Sequence, residues 1–426
     1  MAEPSRETLS GHLRLPGAVA LAVTIVVGSG VLVLPGIAYQ QVGRSALLAW
    51  IGASVVMIPL LLVFTRLGVR YPGAAGVAGF VQAGFNRHLA AGVEVLLLET
   101  FSIGIPGIAL AGGNYAAALL PGLSPTVAAA LIVITSSSVV WLGVRLSTRV
   151  QIVLAVCLTA ALLLVGTVGV LDGSPLQHAP DVSLRTVGTG LSAVGLIFFA
   201  FTGWEMVTFT TEEYVDPRRD FPRAVTIAYV TVVAMYVLLA WAVQTQLPEG
   251  DGTAFAAPIY EVVARISTAA VAHLTSALAV VIVVASLIGN MWAASRLVLS
   301  SAREGLLPAA LTRVHAASGS PRRAVTALAV ASLAILAANS AGGVSVGGLL
   351  AAAGGNFYVL YLLSALAFTR LFTGAARAYG AVVSLALAAV AVATYHAVQL
   401  ACTLLFLAVG YLASKERARR RRRDQR

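Results

Sequence analysis

The feature that most constrains this chain is an apolar stretch of about 20 residues, the length a helix needs to cross roughly 30 Å of hydrocarbon, recurring from Gly17 almost to the C-terminus. The predicted spans cover 17–38, 44–65, 89–119, 125–143, 150–171, 187–211, 224–246, 270–297, 323–341, 345–369, 376–395 and 397–413, twelve in all, bounded by charges, Pro or Gly. Only His396 marks the turn between the last two. With 59% hydrophobic and 11% charged residues in 426, too few polar side chains remain to coat a water-soluble globule of this size. In lipid, backbone polar groups must be satisfied internally, and the runs lack the alternation of a barrel strand. The expected fold class is therefore an all-α polytopic membrane protein with 12 transmembrane helices. The first run is longer than a signal-peptide core, lacks a convincing small-residue cleavage site and leads directly into further spans, so it reads as a retained helix.

The basic residues fix the expected orientation. With the N-terminus inside, every Lys and Arg except Arg44, Arg185 and Arg265 falls on the cytoplasmic side, and both termini are cytoplasmic by the positive-inside rule. The expected location is the bacterial inner membrane. The net charge of +11 is spread over loops and one tail, which fits orientation better than a nucleic-acid surface. The arginine run at 419–423 is expected to meet anionic lipid headgroups. Cys157 and Cys402 both lie inside apolar spans, and no disulfide framework is implied.

Two spans are interrupted near their centres. The first carries Gly28-Ser29-Gly30, and glycine inside a helix costs about 1 kcal/mol relative to alanine. That triplet is either a break or a small-residue packing surface. The sixth carries Phe198-Phe199-Ala200-Phe201-Thr202-Gly203-Trp204-Glu205, again with a central glycine and now with a carboxylate at membrane depth. A charge there costs a few kcal/mol, so Glu205 should face a cavity or a partner; alternatively it is a protonated hydrogen-bond donor tying helices together. The breaks open two blocks of five spans, 17–171 and 187–369, and an odd number of spans forces the second block to enter the membrane inverted. That is the 5+5 inverted-repeat arrangement, with broken helices one and six meeting at the midplane. Unwound backbone at such a meeting supplies free N–H groups for a carboxylate and free C=O groups for an ammonium.

Other polar groups at depth are few. Glu94 and Glu99 in span three lie 140° apart on a helical wheel and cannot share a face; Glu94 is close enough to a span end to pair with Arg87, whereas Glu99 lines a gate or makes a structural hydrogen bond. Asn290 in span eight is either a pocket-lining group or an interhelical tie. Trp50, Trp141 and Trp241, near span ends, are read as interface anchors. The six histidines form no pair at metal-ligand spacing, and no P-loop, zinc-protease motif or nucleophile elbow occurs. Neither an enzyme nor a resident metal or cofactor is expected.

At this point the motifs resemble a known superfamily. Gly28-Ser29-Gly30 with Leu34-Pro35, Phe201-Thr202-Gly203-Trp204-Glu205 with Asp216-Pro217-Arg218-Arg219-Asp220-Phe221-Pro222-Arg223-Ala224, and Tyr71-Pro72-Gly73-Ala74-Ala75-Gly76-Val77 resemble the amino acid, polyamine and organocation (APC) transporters. The resemblance spans essentially the whole chain. The 219–224 segment and the short length are most similar to the bacterial exporters of methionine and branched-chain amino acids. It implies the LeuT-like fold with two additional C-terminal helices at 376–413, flanked by cytoplasmic segments at 1–16 and 414–426. It also implies roles: Gly28, Ser29 and Gly30 for the substrate carboxylate, carbonyls of Val26 and Val27 for the ammonium, and exposed backbone carbonyls at Ala200 and Thr202 in the substrate site. Phe199 would be an aromatic lid beside the Gly203 break, Glu205 and Glu99 gating or proton-coupling carboxylates, and Phe101, Ile105, Ile108 and Asn290 the side-chain pocket. Relatives that take arginine have a tryptophan where Asn290 stands, and the pocket is apolar here, which favours a neutral substrate. The lysine that some proton-coupled relatives carry in helix five is absent, since Lys415 in the tail is the only lysine. The expected function is secondary transport of a neutral amino acid, with proton-coupled export by analogy. An uptake permease for another amino acid, a polyamine or an organic cation, and a non-transporting amino-acid sensor, stay open.

Overall fold

The computed structural model describes residues 14–71, 76–143, 148–173, 184–208, 211, 214–248, 255–315, 318–342, 345–394 and 397–424. The N-terminal segment with Arg6 and His12, the Pro72 to Ala75 part of the pre-helix-three motif, Arg145, His178, His396 and Arg426 lie outside the described residues. The first span is two helices, α1 (Leu15–Val26) and α2 (Ser29–Val42), and the second is α3 (Ala46–Arg70). A short helix, α4 (Gly76–Gly84), precedes α5 (Arg87–Leu119), α6 (Pro125–Leu142) and α7 (Thr148–Asp172). The sixth span is α8 (Leu184–Phe198), a 3-10 turn (Phe199–Phe201) and α9 (Trp204–Val207). Then come α10 (Pro217–Gln246), a second short helix α11 (Pro258–Ile266), α12 (Ala269–Glu304), α13 (Arg322–Gly342) and α14 (Val346–Leu371). The chain closes with α15 (Gly374–Thr394) and α16 (Ala397–Asp424).

Local chemistry sets these boundaries. Asn86, Asp216 and Ser345 each accept a backbone N–H from three residues on, at 2.9, 3.2 and 3.0 Å, starting α5, α10 and α14. Pro217 fills the first position of α10, where its missing N–H costs nothing, so the Asp-Pro of the sequence motif is a helix start. α6 and α12 end on Gly143 and Gly305 in the left-handed region. Among the described residues, eight helical stretches are long and apolar enough to cross a membrane, and shorter apolar helices occur at Leu15–Val26, Val156–Asp172 and Ala193–Val207. Leu171, Leu385 and Val392 are 76%, 74% and 82% exposed, an outer surface that only lipid solvates well.

The packing partners repeat between the halves. α3 packs on α8, and its counterpart α10 packs on α1; α1 packs on α7, and α8 on α14. α6 meets α12 as α13 meets α5. The two short helices obey the same rule: α4 touches α5, α9 and α14, while α11 touches α12, α2 and α7. Each therefore caps the far piece of the other half's broken helix. A five-helix unit used twice in opposite orientations accounts for this pattern.

Two details differ from the sequence reading. Trp50 is no interface anchor: it is fully buried, with its ring centroid 5.3 Å from Tyr236 and 6.1 Å from Phe201. Its position near a span end hid the fact that α3 faces the centre of the bundle there. Trp141 is 38% exposed with the Arg322 guanidinium 3.7 Å over its ring, the geometry of a group at a polar boundary. Secondly, no break separates the last span from the basic tail, because α16 runs on to Asp424. α16 also lies along α5. A methyl group at either Gly92 or Gly410 would collide with the other helix's backbone, and His88 bonds Ser414 at 3.0 Å.

Candidate site at the two helix breaks

The first break is two residues wide. Val27 and Gly28 are extended, so α1 ends on the carbonyls around Val26 and α2 begins at Ser29 with N–H groups that have no intrahelical partner. The Ser29 hydroxyl is buried, 1% exposed, and makes no hydrogen bond. Gly30 lies where a Cβ would stand 3.1 Å from Ala200 Cα, so this glycine lets the two broken segments touch.

The second break begins with the 3-10 turn. Thr202 is extended, with its N–H and its hydroxyl both donating to Phe199 O at 3.1 and 2.8 Å. Gly203 follows at φ +107°, a backbone that a residue with a Cβ adopts only with strain, and α9 starts at Trp204. The Phe199 side chain is half-buried, and its backbone lies against Gly354 of α14.

One side chain ties both breaks together. The Tyr236 hydroxyl, from α10, donates to Ala200 O at 2.7 Å and lies 3.3 Å from Val26 O. Trp50 and Phe201 pack around its ring. One carbonyl expected to receive an ammonium, that of Val26, and the carbonyl of Ala200 across the second break are thus gathered on one hydroxyl.

Glu205 is 3% exposed, and one of its carboxylate oxygens accepts the Gly203 N–H at 3.0 Å and the Tyr361 hydroxyl. Tyr361 belongs to α14 and sits in an aromatic cluster with Phe64, Phe198 and Phe357. Glu99 reaches α14 too, where it accepts from the Asn356 amide, whose oxygen accepts from Thr403 of α16 at 2.7 Å. Asn356 and Tyr361 are five residues apart and face differently, so α14 holds the two acids on separate faces. Glu94 points elsewhere and accepts from Ser301 of α12 at 3.1 Å.

Phe101, Ile105 and Ile108 follow the i, i+4, i+7 spacing of one α5 face, together with Gly104, which lies against Ala353 beside Gly354. That brings the apolar wall toward the segment carrying Phe199. Asn290 bonds to its own helix, at Ser286 O, 2.9 Å away. It is Ser286, one turn earlier on the same face, whose hydroxyl approaches the first break: a Cβ on Gly28 would stand 3.0 Å from it. Sequence reasoning missed Ser286, Tyr236, Tyr361 and Asn356. For the tyrosines there was a signal, because a phenol in the middle of an apolar span needs a hydrogen-bond partner there.

Residues 13–418 match the pattern of the family described as amino acid permease. The chain belongs to the amino acid permease family. It is 28% identical over 327 residues to an uncharacterised amino acid permease of Bacillus subtilis, covering 75% of this chain and 76% of that one. It is 25% identical over 372 residues to the L-methionine/branched-chain amino acid exporter of Escherichia coli, covering 86% and 87%. Among solved structures, MhsT in complex with L-phenylalanine superposes with a TM-score of 0.61 at 14% identity, over 95% of this permease and 97% of that chain. The structural match shows a shared LeuT-like fold. The permease is thus a multi-pass membrane transporter of the APC superfamily and not an enzyme.

Proposed function

We propose that this permease exports a neutral amino acid of the methionine or branched-chain type, coupled to protons, by alternating access from a bacterial inner membrane with both termini cytoplasmic. The observation that carries the reading is the pairing at the breaks: an unpartnered buried hydroxyl at Ser29 with the α2 N-terminus, and two carbonyls, Val26 and Ala200, held by one phenol. A zwitterion complements both. Its carboxylate would take the Ser29 hydroxyl and the free N–H groups from Ser29 and Gly30, and its ammonium would replace the Tyr236 proton on the two carbonyls. The apolar wall of Phe101, Ile105 and Ile108 suits an uncharged side chain, whereas a polyamine would need further acids. The likeness to the Escherichia coli exporter supports the same substrate type and direction.

In this scheme α1, α2, α3, α8, α9 and α10 rock against α5, α6, α12 and α13, with Gly28 and Gly203 as hinges and Phe199 as the lid. Glu205 carries the proton. The titratable side chain on it is Tyr361, and its other donor is a backbone N–H from the hinge, so protonation and hinge geometry are linked. Counterflow of labelled methionine and leucine in proteoliposomes, with and without a pH gradient, tests the reading. Exchange should follow neutral amino acids, and Glu205→Gln should exchange without responding to the gradient. No exchange with any amino acid, in protein shown to be folded, would overturn the neutral amino-acid reading in favour of another substrate class or the sensor.

A further inference from the structure

A cavity of about 550 Å³ opens where the C-terminal end of α3 meets the start of α10 and the end of α14, well away from the helix breaks in sequence. Its lining includes Arg66, Arg70 and Arg218, with Thr65, Val69 and Phe372. Arg66 and Arg70 are exposed and one helical turn apart on α3, so their charges share a face that an anion would neutralise. Arg218 is the second residue of α10, which adds a helix N-terminus to the same positive field. Three other arginines have ring partners: Arg296, Arg322 and Arg370 lie 3.7, 3.7 and 4.1 Å over the rings of Trp292, Trp141 and Phe85. Among the described residues, none of the three cavity arginines has a carboxylate partner or lies over a ring; Arg66 is near the Tyr379 phenol, which donates to Pro59 O at 3.1 Å.

We propose that this cavity binds the phosphate of an anionic phospholipid. Guanidinium groups match phosphate oxygens in forked pairs, the Thr65 hydroxyl adds a donor, and three converging cations exceed what a zwitterionic headgroup neutralises. Val69 and Phe372 supply an apolar side that a free phosphate would leave unused and an acyl chain would cover. The site is distinct from the basic run of α16. It also bridges α3 and α10, which belong to the rocking set in the proposed transport cycle, and Phe372, which follows α14 outside it. A lipid held there favours the arrangement in which those elements are close.

Binding is read on the full-length purified protein, independently of transport, by native mass spectrometry and thermal shift during titration with dioctanoyl phosphatidylglycerol. Dioctanoyl phosphatidylcholine and inorganic phosphate run in parallel. The expected result is a saturable phosphatidylglycerol adduct, weakened at least tenfold in the Arg66→Gln, Arg70→Gln, Arg218→Gln triple variant and kept when the arginines at 419–423 are changed to Gln. Arg70→Glu alone should weaken it several-fold, which serves if the triple variant folds poorly. Equal binding by the arginine variants and the parent protein would overturn the site, as would loss of the adduct in the tail variant. Inorganic phosphate binding as tightly as the lipid would overturn the lipid as the source of the anion.

Discussion

At the scale of single residues, the candidate site sets one unsatisfied polar group, the Ser29 hydroxyl, beside a satisfied one, the Tyr236 phenol. The Ser29 hydroxyl is buried without a partner, so removing it should relieve a desolvation penalty instead of creating one. Ser29→Ala is therefore expected to leave the thermal midpoint unchanged or slightly raised, while the apparent affinity for substrate in counterflow falls about tenfold, the equivalent of roughly 1.4 kcal/mol. A stability loss without an affinity loss would assign Ser29 to packing alone. Tyr236 behaves oppositely, because its hydroxyl satisfies Ala200 O and lies near Val26 O. Tyr236→Phe should destabilise the empty protein by about 1–3 kcal/mol, the cost of leaving buried acceptors unpaired. If the substrate ammonium replaces that phenol proton, saturating methionine will raise the midpoint more in the Phe variant than in the parent. An equal rise in both would remove Tyr236 from the ammonium site.

At the scale of elements, the breaks are made by backbone that other residues cannot copy. Gly203 sits at φ +107°, and a Cβ there would also press on Ile25 O at 3.3 Å. Gly203→Ala should cost about 1–3 kcal/mol of stability and slow exchange, since it strains the hinge in every state. Gly52, inside α3 with no heavy atom within 4 Å of its Cβ position, is the control: Gly52→Ala should leave exchange intact and stabilise by up to about 1 kcal/mol. Midpoints from thermal unfolding, measured beside exchange rates, separate the two cases. The breaks were legible in the sequence because glycine beside polar residues is out of place in a long apolar run. The short helices α4 and α11 were not, since at nine residues each they are far below the length of a membrane span and lie in the connecting segments between spans. The partners of the two acids were hidden for another reason: Tyr361 lies 156 positions from Glu205, and Asn356 lies 257 from Glu99, so only the packing of α14 brings them together.

At the scale of the whole molecule, α16 is part of the frame and not a flank. It touches α5 along its length, bonds Asn356 through Thr403, and reaches the Ala351 and Ala352 carbonyls through Gln399 at 3.3 and 3.2 Å. Gly410→Leu should push α16 off α5, lowering the yield of monodisperse protein in gel filtration and its thermal midpoint. A mere change of oligomer size, with the midpoint kept, would mean that α16 serves assembly. Hydropathy found α15 and α16 but held no information about what they touch, because helices in lipid are sorted by shape and hydrogen bonding as much as by apolar area. The matched short helices have a wider consequence. α4 presses on the far piece of one broken helix and α11 on the far piece of the other, so the molecule owns two doors cut to one pattern. In the proposed transport cycle each short helix would belong to one gate, so substitutions at the α4–α9 contact and at the α11–α2 contact are expected to act on opposite faces of the membrane.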